Sequence, residues 1–354
     1  MGLTLEQDNA MRILLDRHND KEKISVLQGI AGSGKSFLLS YLIQHLGYEE
    51  NEVAFATYTG TAAKILMKQG LNASTIHQLI YTPIIRRGIC VGFRKKFTED
   101  LLGLKLIIID EFSMVPQNIL TDLLSYHIPI IFVGDQAQLP PIGEPNKLIH
   151  TAHAILTEPM RQALDNPILW AANEVRLGNH LPYGLHGNDK TKILVTNKQQ
   201  LDPNWFRDDV RIITGLNKTR EVINLQMAGS LVPLPGHRII FLKNDWQTFI
   251  TNGTIGEILS LEQRGFTNYK LKILLDDEST IIEDYVADFQ KQSKPNKQFF
   301  DFAYAITCHR AQGATYDNPG LIFDESSVFK ENKYKWLYTA ISRFTGDYNL
   351  VIVR

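Results

Sequence analysis

Short, nearly unbroken apolar runs alternate along the first half of the chain with stretches in which apolar residues recur every three or four places. The runs are ISVLQ at 24–28, VAFAT at 53–57, LKLIIID at 104–110 and IPIIFVGD at 128–135. Continuity of this kind predicts strands buried on both faces of a parallel sheet. SFLLSYLIQHL follows the first run and TAAKILMKQ the second, each with helical spacing. Strand–helix alternation predicts an α/β fold. A second α/β unit begins near Ala154, with strands VRIITG at 210–215, DFAYAIT at 301–307, LIFD and YNLVIVR, and helices LNKTREVINLQM and KYKWLYTAISR.

Two segments break the alternation. Between residues 81 and 100 lies a short hairpin pattern with Gly88 and Gly92 as turn candidates. From 236 to 298 the chain reads HRIIFLK, GTIGEILSLEQ, YKLKILL and STIIEDY, short strands without a long helix, which predicts a small all-β insert. The expected division is a first lobe of 1–82 and 101–153 with a hairpin insert at 83–100, and a second lobe of 154–235 and 299–354 with a β insert at 236–298. No internal repeat is visible by identity.

Composition narrows the class. Hydrophobic residues at 44% and charged residues at 21% fit a globular protein. No run approaches the ~20 apolar residues of a membrane helix, and the N-terminus lacks a signal peptide's apolar core. Gly2 has no Ser or Thr at position six to support myristoylation. The expectation is a cytoplasmic protein, in the host cytoplasm if phage-encoded. Cys90 and Cys308 are too few for a disulfide framework or a four-thiolate zinc site. A net charge of −1, from 37 basic and 38 acidic side chains, argues against electrostatic coating of nucleic acid but leaves room for a narrow basic channel.

Three motifs carry chemistry. GIAGSGKS at 29–36 has the full G-x-x-x-x-G-K-[ST] pattern between a strand and a helix. Gly29, Ala31, Gly32, Ser33 and Gly34 would wrap phosphates with backbone N–H groups at a helix N-terminus. Lys35 would reach the β- and γ-phosphates and Ser36 would hold Mg²⁺. LIIIDE at 106–111 ends a buried strand in two carboxylates, whose burial calls for a compensating cation. Asp110 would bind Mg²⁺, and Glu111 would orient or deprotonate the attacking water. Gln138 follows another strand end and is placed to sense the γ-phosphate; Asp135 and Gln136 are weaker candidates, Asp135 equally a capping residue.

Together with what surrounds them, these elements resemble the RecD/Dda-like group of superfamily 1B DNA helicases, motif by motif and in order from Leu3 to Arg354. LTLEQDNAM looks like the adenine-reading segment, with Gln7 as the reader. ATYTGTAAK (Thr59) and STIHQL (Thr75, His77) look like first-lobe strand-contact motifs, although Tyr58 stands where a Pro is common. LTEPMRQ and YTAISR look like the motifs supplying Arg161 and Arg343. TNGTIGEI (Asn252) and AITCHRAQGATYD (His309, Gly313) look like second-lobe motifs, the latter touching both DNA and nucleotide.

The resemblance implies two RecA-like P-loop lobes, with a β-hairpin pin in the first and a small SH3-like barrel in the second. It implies ATP and Mg²⁺, single-stranded DNA and a duplex fork as partners, 5′-to-3′ travel and a monomeric motor. Arg161 and Arg343 would reach the γ-phosphate from the second lobe. Thr59, Thr75, His77, Asn252 and His309 would contact DNA, although a capping Thr or a satisfied core His remains an open reading for each. Arg310 and Gln312 would couple DNA to nucleotide. In the hairpin, Phe93 would stack on the last base pair, flanked by Arg86, Arg87, Arg94, Lys95 and Lys96. Pif-like helicases share several of these motifs. Outside the class stand a P-loop nucleotide switch or kinase, and a nucleic-acid binder with an inactive ATP site.

Overall fold

The structure, a computed structural model, describes residues 2–86, 89–140, 146–160, 165–243, 245, 250, 252–276, 280–290 and 298–354, with backbone alone at 85, 86 and 89–91. In the first lobe β1 is Ile24–Gly29, β2 Val53–Thr57, β3 Ala73–Thr75, β4 Tyr81–Arg86, β5 Ile89–Lys95, β6 Leu106–Asp110, β7 Ile130–Gly134 and β8 Ala154–Leu156. Six of these make a parallel sheet in the order β3-β2-β6-β7-β1-β8. The apolar runs are its central strands, and β2 and β7 are buried at every residue. The boundary expected at 153/154 is corrected: β8 pairs with β1, so the first lobe runs on past it. Its three residues were too short a pattern to assign from sequence.

Helices Leu5–Asn19 and Lys35–Leu46 cover one face of this sheet, through Leu14, Leu38 and Leu42. Ile76, Ile80, Phe112, Ile119 and Leu123 cover the other. There Phe112 meets Phe132 edge-on at 5.7 Å, both buried. The N-terminal helix carries little hydrophobic signal, because Leu5 and Ile13 face solvent. Its start is fixed instead by a capping box: Gln7 N donates to Thr4 Oγ1 and Thr4 N to Gln7 Oε1.

The second lobe contains β9 (Gly184–Gly187), β10 (Lys192–Thr196) and β11 (Arg211–Thr214). A closed barrel follows, of β12 (Arg238–Phe241), β13 (Ile255–Gln263), β14 (Asn268–Leu275), β15 (Ile281–Phe289) and β16 (Phe299–Phe302). The chain then returns as β17 (Ala305–Thr307), β18 (Gly320–Phe323) and β19 (Leu350–Val353). The second sheet runs β17-β11-β18-β19-β10-β9, and only β9 is antiparallel to its neighbour.

The insert boundary at 298 is also corrected, since Phe299–Phe302 is the strand that closes the barrel. Only Ala303 and Tyr304, both buried, separate it from β17. Asn224, on helix Asn217–Ala228, staples this junction: its Nδ2 donates to Phe302 O (3.0 Å) and Ala305 O (3.2 Å), and its Oδ1 accepts from Ala305 N (2.7 Å). Arg220, one turn earlier, pairs with Asp301 at 3.0 Å. Among the described residues no helix is long and apolar enough to cross a membrane.

Candidate active site

β1 ends at Gly29, and the phosphate loop runs from there into helix Lys35–Leu46. Gly34 caps that helix in the left-handed region (φ 80°), and a Cβ there would lie 2.4 Å from Gln7 Nε2 and 2.7 Å from Met160 Sδ. The positive φ favours glycine, while the side-chain ends of Gln7 and Met160 would have to shift to admit a Cβ. Lys35 folds back over its own loop, donating from Nζ to Gly29 O (2.7 Å) and Ile30 O (3.1 Å). Gln7 is 1% exposed, and its Nε2 donates to Ser33 O at 3.0 Å. Here it braces the loop from beneath.

Glu6 ties down the segment that leads toward Arg161, accepting from Thr157 N (2.8 Å) and Thr157 Oγ1 (2.7 Å). Met160 N donates to Gly32 O at 2.9 Å. This stretch is therefore anchored to the first lobe. Arg161 itself lies outside the described residues.

β6 delivers Asp110 to the cleft floor, and Glu111 follows in the left-handed region at φ 50°, ψ 41°. A non-glycine residue pays strain to sit there, a common mark of functional sites. Asp110 Oδ1 accepts from Glu111 N at 2.9 Å. Desolvation, then the neighbouring Glu111 charge, push Asp110 up to about 6, against the pull of Lys35 and Arg343. Ser36 and Asp110 line one small cavity of about 90 Å³. The rest of that cavity is lined mainly by apolar side chains such as Leu39, Phe55 and Val133. It is the chemistry of the donor pair, two hard oxygens beside the phosphate loop, that fits Mg²⁺, which is commonly held by one or two protein oxygens plus substrate phosphates. Among the described residues no cluster of three His, Cys, Asp or Glu could hold a metal by itself.

The second lobe closes over this floor. Arg343, 5% exposed, places Nη1 3.6 Å from Glu111 Oε1. Gln138 bridges the two, its amide oriented by the network: nitrogen 3.3 Å from Glu111 Oε2, oxygen 3.2 Å from Arg343 Nη2. Asp135 Oδ1 accepts from Ala137 N (2.9 Å) as a turn cap, and Oδ2 accepts from the Tyr338 hydroxyl (2.5 Å). Burial first of all pushes the Asp135 carboxyl upward. That same Tyr338 oxygen accepts from Ala31 N at 2.8 Å, so this amide, expected to wrap phosphate, is instead engaged by the second lobe. Leu139 is held on both sides of its backbone: its N donates to Thr339 Oγ1 (2.7 Å) and its O accepts from Gln312 Nε2 (2.6 Å).

Sequence reasoning missed Tyr338 and Thr339. Thr339 stands four residues before Arg343, so helical spacing could have found it. Tyr338 reads as core, yet a buried tyrosine usually has a partner for its hydroxyl.

The expected strand contacts are more self-contained. Thr59 caps helix Gly60–Lys68 through Ala62 N, and Thr75 caps helix Ile76–Ile80 in a box with Gln78. His77 sits among the rings of Tyr58 (6.0 Å), Tyr81 (5.5 Å) and Phe93 (5.9 Å), while His309 packs on Phe329 at 5.9 Å. Burial lowers the pKa of both imidazoles. Gly313 was expected near the nucleotide. Its structural neighbours are Thr59 and Ala62: a Cβ on it, at φ 75°, would lie 2.8 Å from Thr59 Oγ1. Gly253, next to the exposed Asn252, approaches Thr61. Thr59, Thr61, Gly253 and Gly313 thus meet along one seam between the lobes.

Phe93, expected to stack on the last base pair, lies part-way along the hairpin and away from its tip. It pairs with Pro83 part-way down β5 and is 41% exposed, because β4 and β5 extend beyond it to Arg86 and Ile89. Arg87 and Gly88 lie outside the described residues. Of the basic flank, Lys95 approaches Asp122 (3.8 Å), Lys96 donates to Gln78 O (2.8 Å), and Arg94 lies over the Phe97 ring (5.4 Å).

Known proteins fit this geometry. The AAA domain family model matches residues 2–187, and the UvrD-like helicase C-terminal domain matches 302–351. The ATP-dependent RecD2 DNA helicase of Deinococcus radiodurans is 28% identical over 374 residues, covering 97% of this chain and 48% of that protein. The ATP-dependent DNA helicase Pif1 of Bdellovibrio bacteriovorus is 24% identical, covering 99% of this chain and 88% of that protein. A solved structure of two coordinating Pif1 helicases unwinding forked double-stranded DNA superposes with a TM-score of 0.61 at 21% identity, over 99% of this chain and 92% of that one. With a family match across more than half its length, the chain belongs to the AAA domain family, and its RecD2, Pif1 and Dda relatives and two-lobed fold are consistent with a superfamily 1B helicase.

Proposed function

We propose that this chain is an ATP-driven DNA helicase: it travels 5′-to-3′ along single-stranded DNA and parts the duplex ahead. The observation that carries the proposal is the meeting of Arg343 with Glu111 across the cleft, 3.6 Å apart, opposite the phosphate loop. Such a seam makes the nucleotide a bridge between two bodies.

Phosphoryl transfer needs positioning and charge neutralisation more than covalent chemistry. Lys35 swings from its own loop carbonyls to the β- and γ-phosphates. Ser36 and Asp110 would hold Mg²⁺, which when bound would neutralise charge on the phosphate oxygens. Glu111 orients the attacking water and takes its proton. Arg343 turns from Glu111 toward charge developing on the γ-phosphoryl group, and Gln138 moves with it. Arg161 is the second guanidinium proposed for this role.

The seam through Thr59, Thr61, Gly253 and Gly313 lies where closure would shift one lobe's grip on a strand relative to the other's. Hydroxyls, amides and neutral imidazoles suit phosphate oxygens and confer no sequence preference. Shifting a two-state element from mostly open to mostly closed takes about 5.5 kcal/mol of differential binding, and parting one base-pair step about 1.4 kcal/mol. A nucleotide with charged contacts on both lobes can supply the first. One chain carries both lobes, so a monomer suffices.

The test is ATP turnover with and without single-stranded DNA, followed by unwinding of duplexes bearing a 5′ or a 3′ tail. DNA-stimulated hydrolysis and unwinding from the 5′ tail are expected. Hydrolysis indifferent to DNA would overturn the motor, and unwinding only from the 3′ tail would overturn the polarity.

A further inference from the structure

The Tyr338 hydroxyl joins three elements. It belongs to second-lobe helix Lys333–Ile341, accepts from the phosphate-loop amide of Ala31 at 2.8 Å, and donates to Asp135 Oδ2 at 2.5 Å. A phenol has one proton to give, and here it goes to the carboxylate. The residue is 1% exposed, so water does not compete for these bonds. Burial first, then the Asp135 charge, hold the phenol well above its ordinary pKa, so the proton stays in place.

The same helix carries two further lobe-to-lobe contacts. Thr339 Oγ1 accepts from Leu139 N (2.7 Å), and Lys335 Nζ donates to Gln136 O (3.0 Å). The loop from Asp135 to Leu139 is thereby gripped at three points by consecutive turns of one helix. Arg343 follows directly, and its Nε donates back to Thr339 O at 3.2 Å. The guanidinium position is therefore referenced to a helix that is itself referenced to the phosphate loop. Only Tyr338 makes that last link among these side chains.

We propose that Tyr338 is a positioning residue: its hydroxyl latches the second-lobe helix onto the Ala31 amide and the Asp135 carboxylate, and so sets where Arg343 meets Glu111. The kinetic part rests on the ATPase reading above; the contact itself does not. The hydroxyl organises the cleft for the transition state and adds little to ground-state nucleotide affinity.

Tyr338→Phe keeps the ring and removes both bonds. In the full chain without nucleotide, hydrogen exchange at the Ala31 amide is expected to speed up about tenfold, since one hydrogen bond is typically worth about that factor. With ATP and single-stranded DNA, kcat is expected to fall about tenfold, with the KM for ATP moving less than about twofold, the signature of an interaction made in the transition state. Unchanged Ala31 exchange overturns the latch. So does a raised KM at full kcat, or an unchanged kcat. A wild-type chain that hydrolyses no ATP would instead sink the functional reading, while the exchange measurement still decides the latch. Asp135→Asn retains a carbonyl acceptor for the hydroxyl and should keep most of the Ala31 protection. Complete loss of protection in that variant, with protection intact in Tyr338→Phe, would assign the contact to Asp135 alone and overturn the role of Tyr338.

Discussion

The seam at the phosphate loop and the seam proposed for the strand are both formed where the lobes meet, yet they are built differently. Around the phosphate loop, side chains of the second lobe bond side chains or backbone of the first: Tyr338 to Asp135, Arg343 to Glu111, Gln312 to the Leu139 carbonyl. On the strand side, the candidate contacts bond mainly within their own element. Thr59 and Thr75 cap their own helices, and His77 lies in a ring cluster of the first lobe. Transition-state chemistry needs fixed distances between lobes. Holding a sliding phosphate chain needs donors that let go; the Thr59 cap accepts from Ala62 N and has a rotatable hydroxyl proton for that purpose, whereas the Thr75 hydroxyl also donates to Gln78 Oε1 at 3.1 Å and must first release it.

The sharpest way to break this contrast is Arg343→Ala. A guanidinium serving phosphoryl transfer is worth about 10³–10⁵ in rate. Steady-state ATP turnover should fall within that range while nucleotide still binds, and a loss under tenfold would remove Arg343 from the chemistry. Lys35→Ala should abolish both ATP turnover and unwinding; persistent unwinding would mean that the phosphates lie elsewhere. Next in size is Phe93→Ala. Its half-exposed ring should matter to strand separation more than to hydrolysis, so unwinding is expected to fall several-fold further than DNA-stimulated ATPase. Equal losses would make Phe93 part of the local ring cluster only.

Smaller effects probe the strand side as structure. Thr75→Ala removes a helix cap and should cost about 1 kcal/mol in the denaturant midpoint. Any weakening of single-strand affinity beyond about twofold at matched stability would give Thr75 a direct contact as well. The least effect is one of pH. Burial depresses the His77 and His309 pKa values below 6.5, so the folded state binds these protons less readily than the unfolded chain. Their contribution to stability is complete above 6.5 and is lost as pH falls through the lower folded values. The thermal midpoint should drop on acidification from pH 7.5 to 5.5, and by less in a His77→Gln, His309→Gln double variant.

The sequence was most legible where chemistry and periodicity coincide. The central strands β1, β2, β6 and β7 are apolar runs with functional residues at or just beyond their ends, so position and role appear together. Three kinds of information were hidden. β8 and β9 are three and four residues long, too short for a pattern. The N-terminal helix has just Gln7, Ala10, Met11 and Leu14 buried, so its apolar stripe is faint. Cross-lobe contacts such as Tyr338 to Ala31 join positions 307 apart, which local spacing cannot reveal. For the hairpin, Gly88 and Gly92 offered two turn positions, and the pairing of Phe93 with Pro83 decides between them.

The stapled junction between barrel and second sheet has a mechanical corollary. With two buried residues between β16 and β17 and Asn224 bonded to both sides, the barrel has no slack of its own and rides rigidly on its lobe. The hairpin grows just as directly from the first lobe, since β4 starts where helix Ile76–Ile80 ends. Each appendage is thus carried by its own lobe, and if the lobes close on a nucleotide as proposed, the spacing between barrel and hairpin would change with them like the jaws of a caliper.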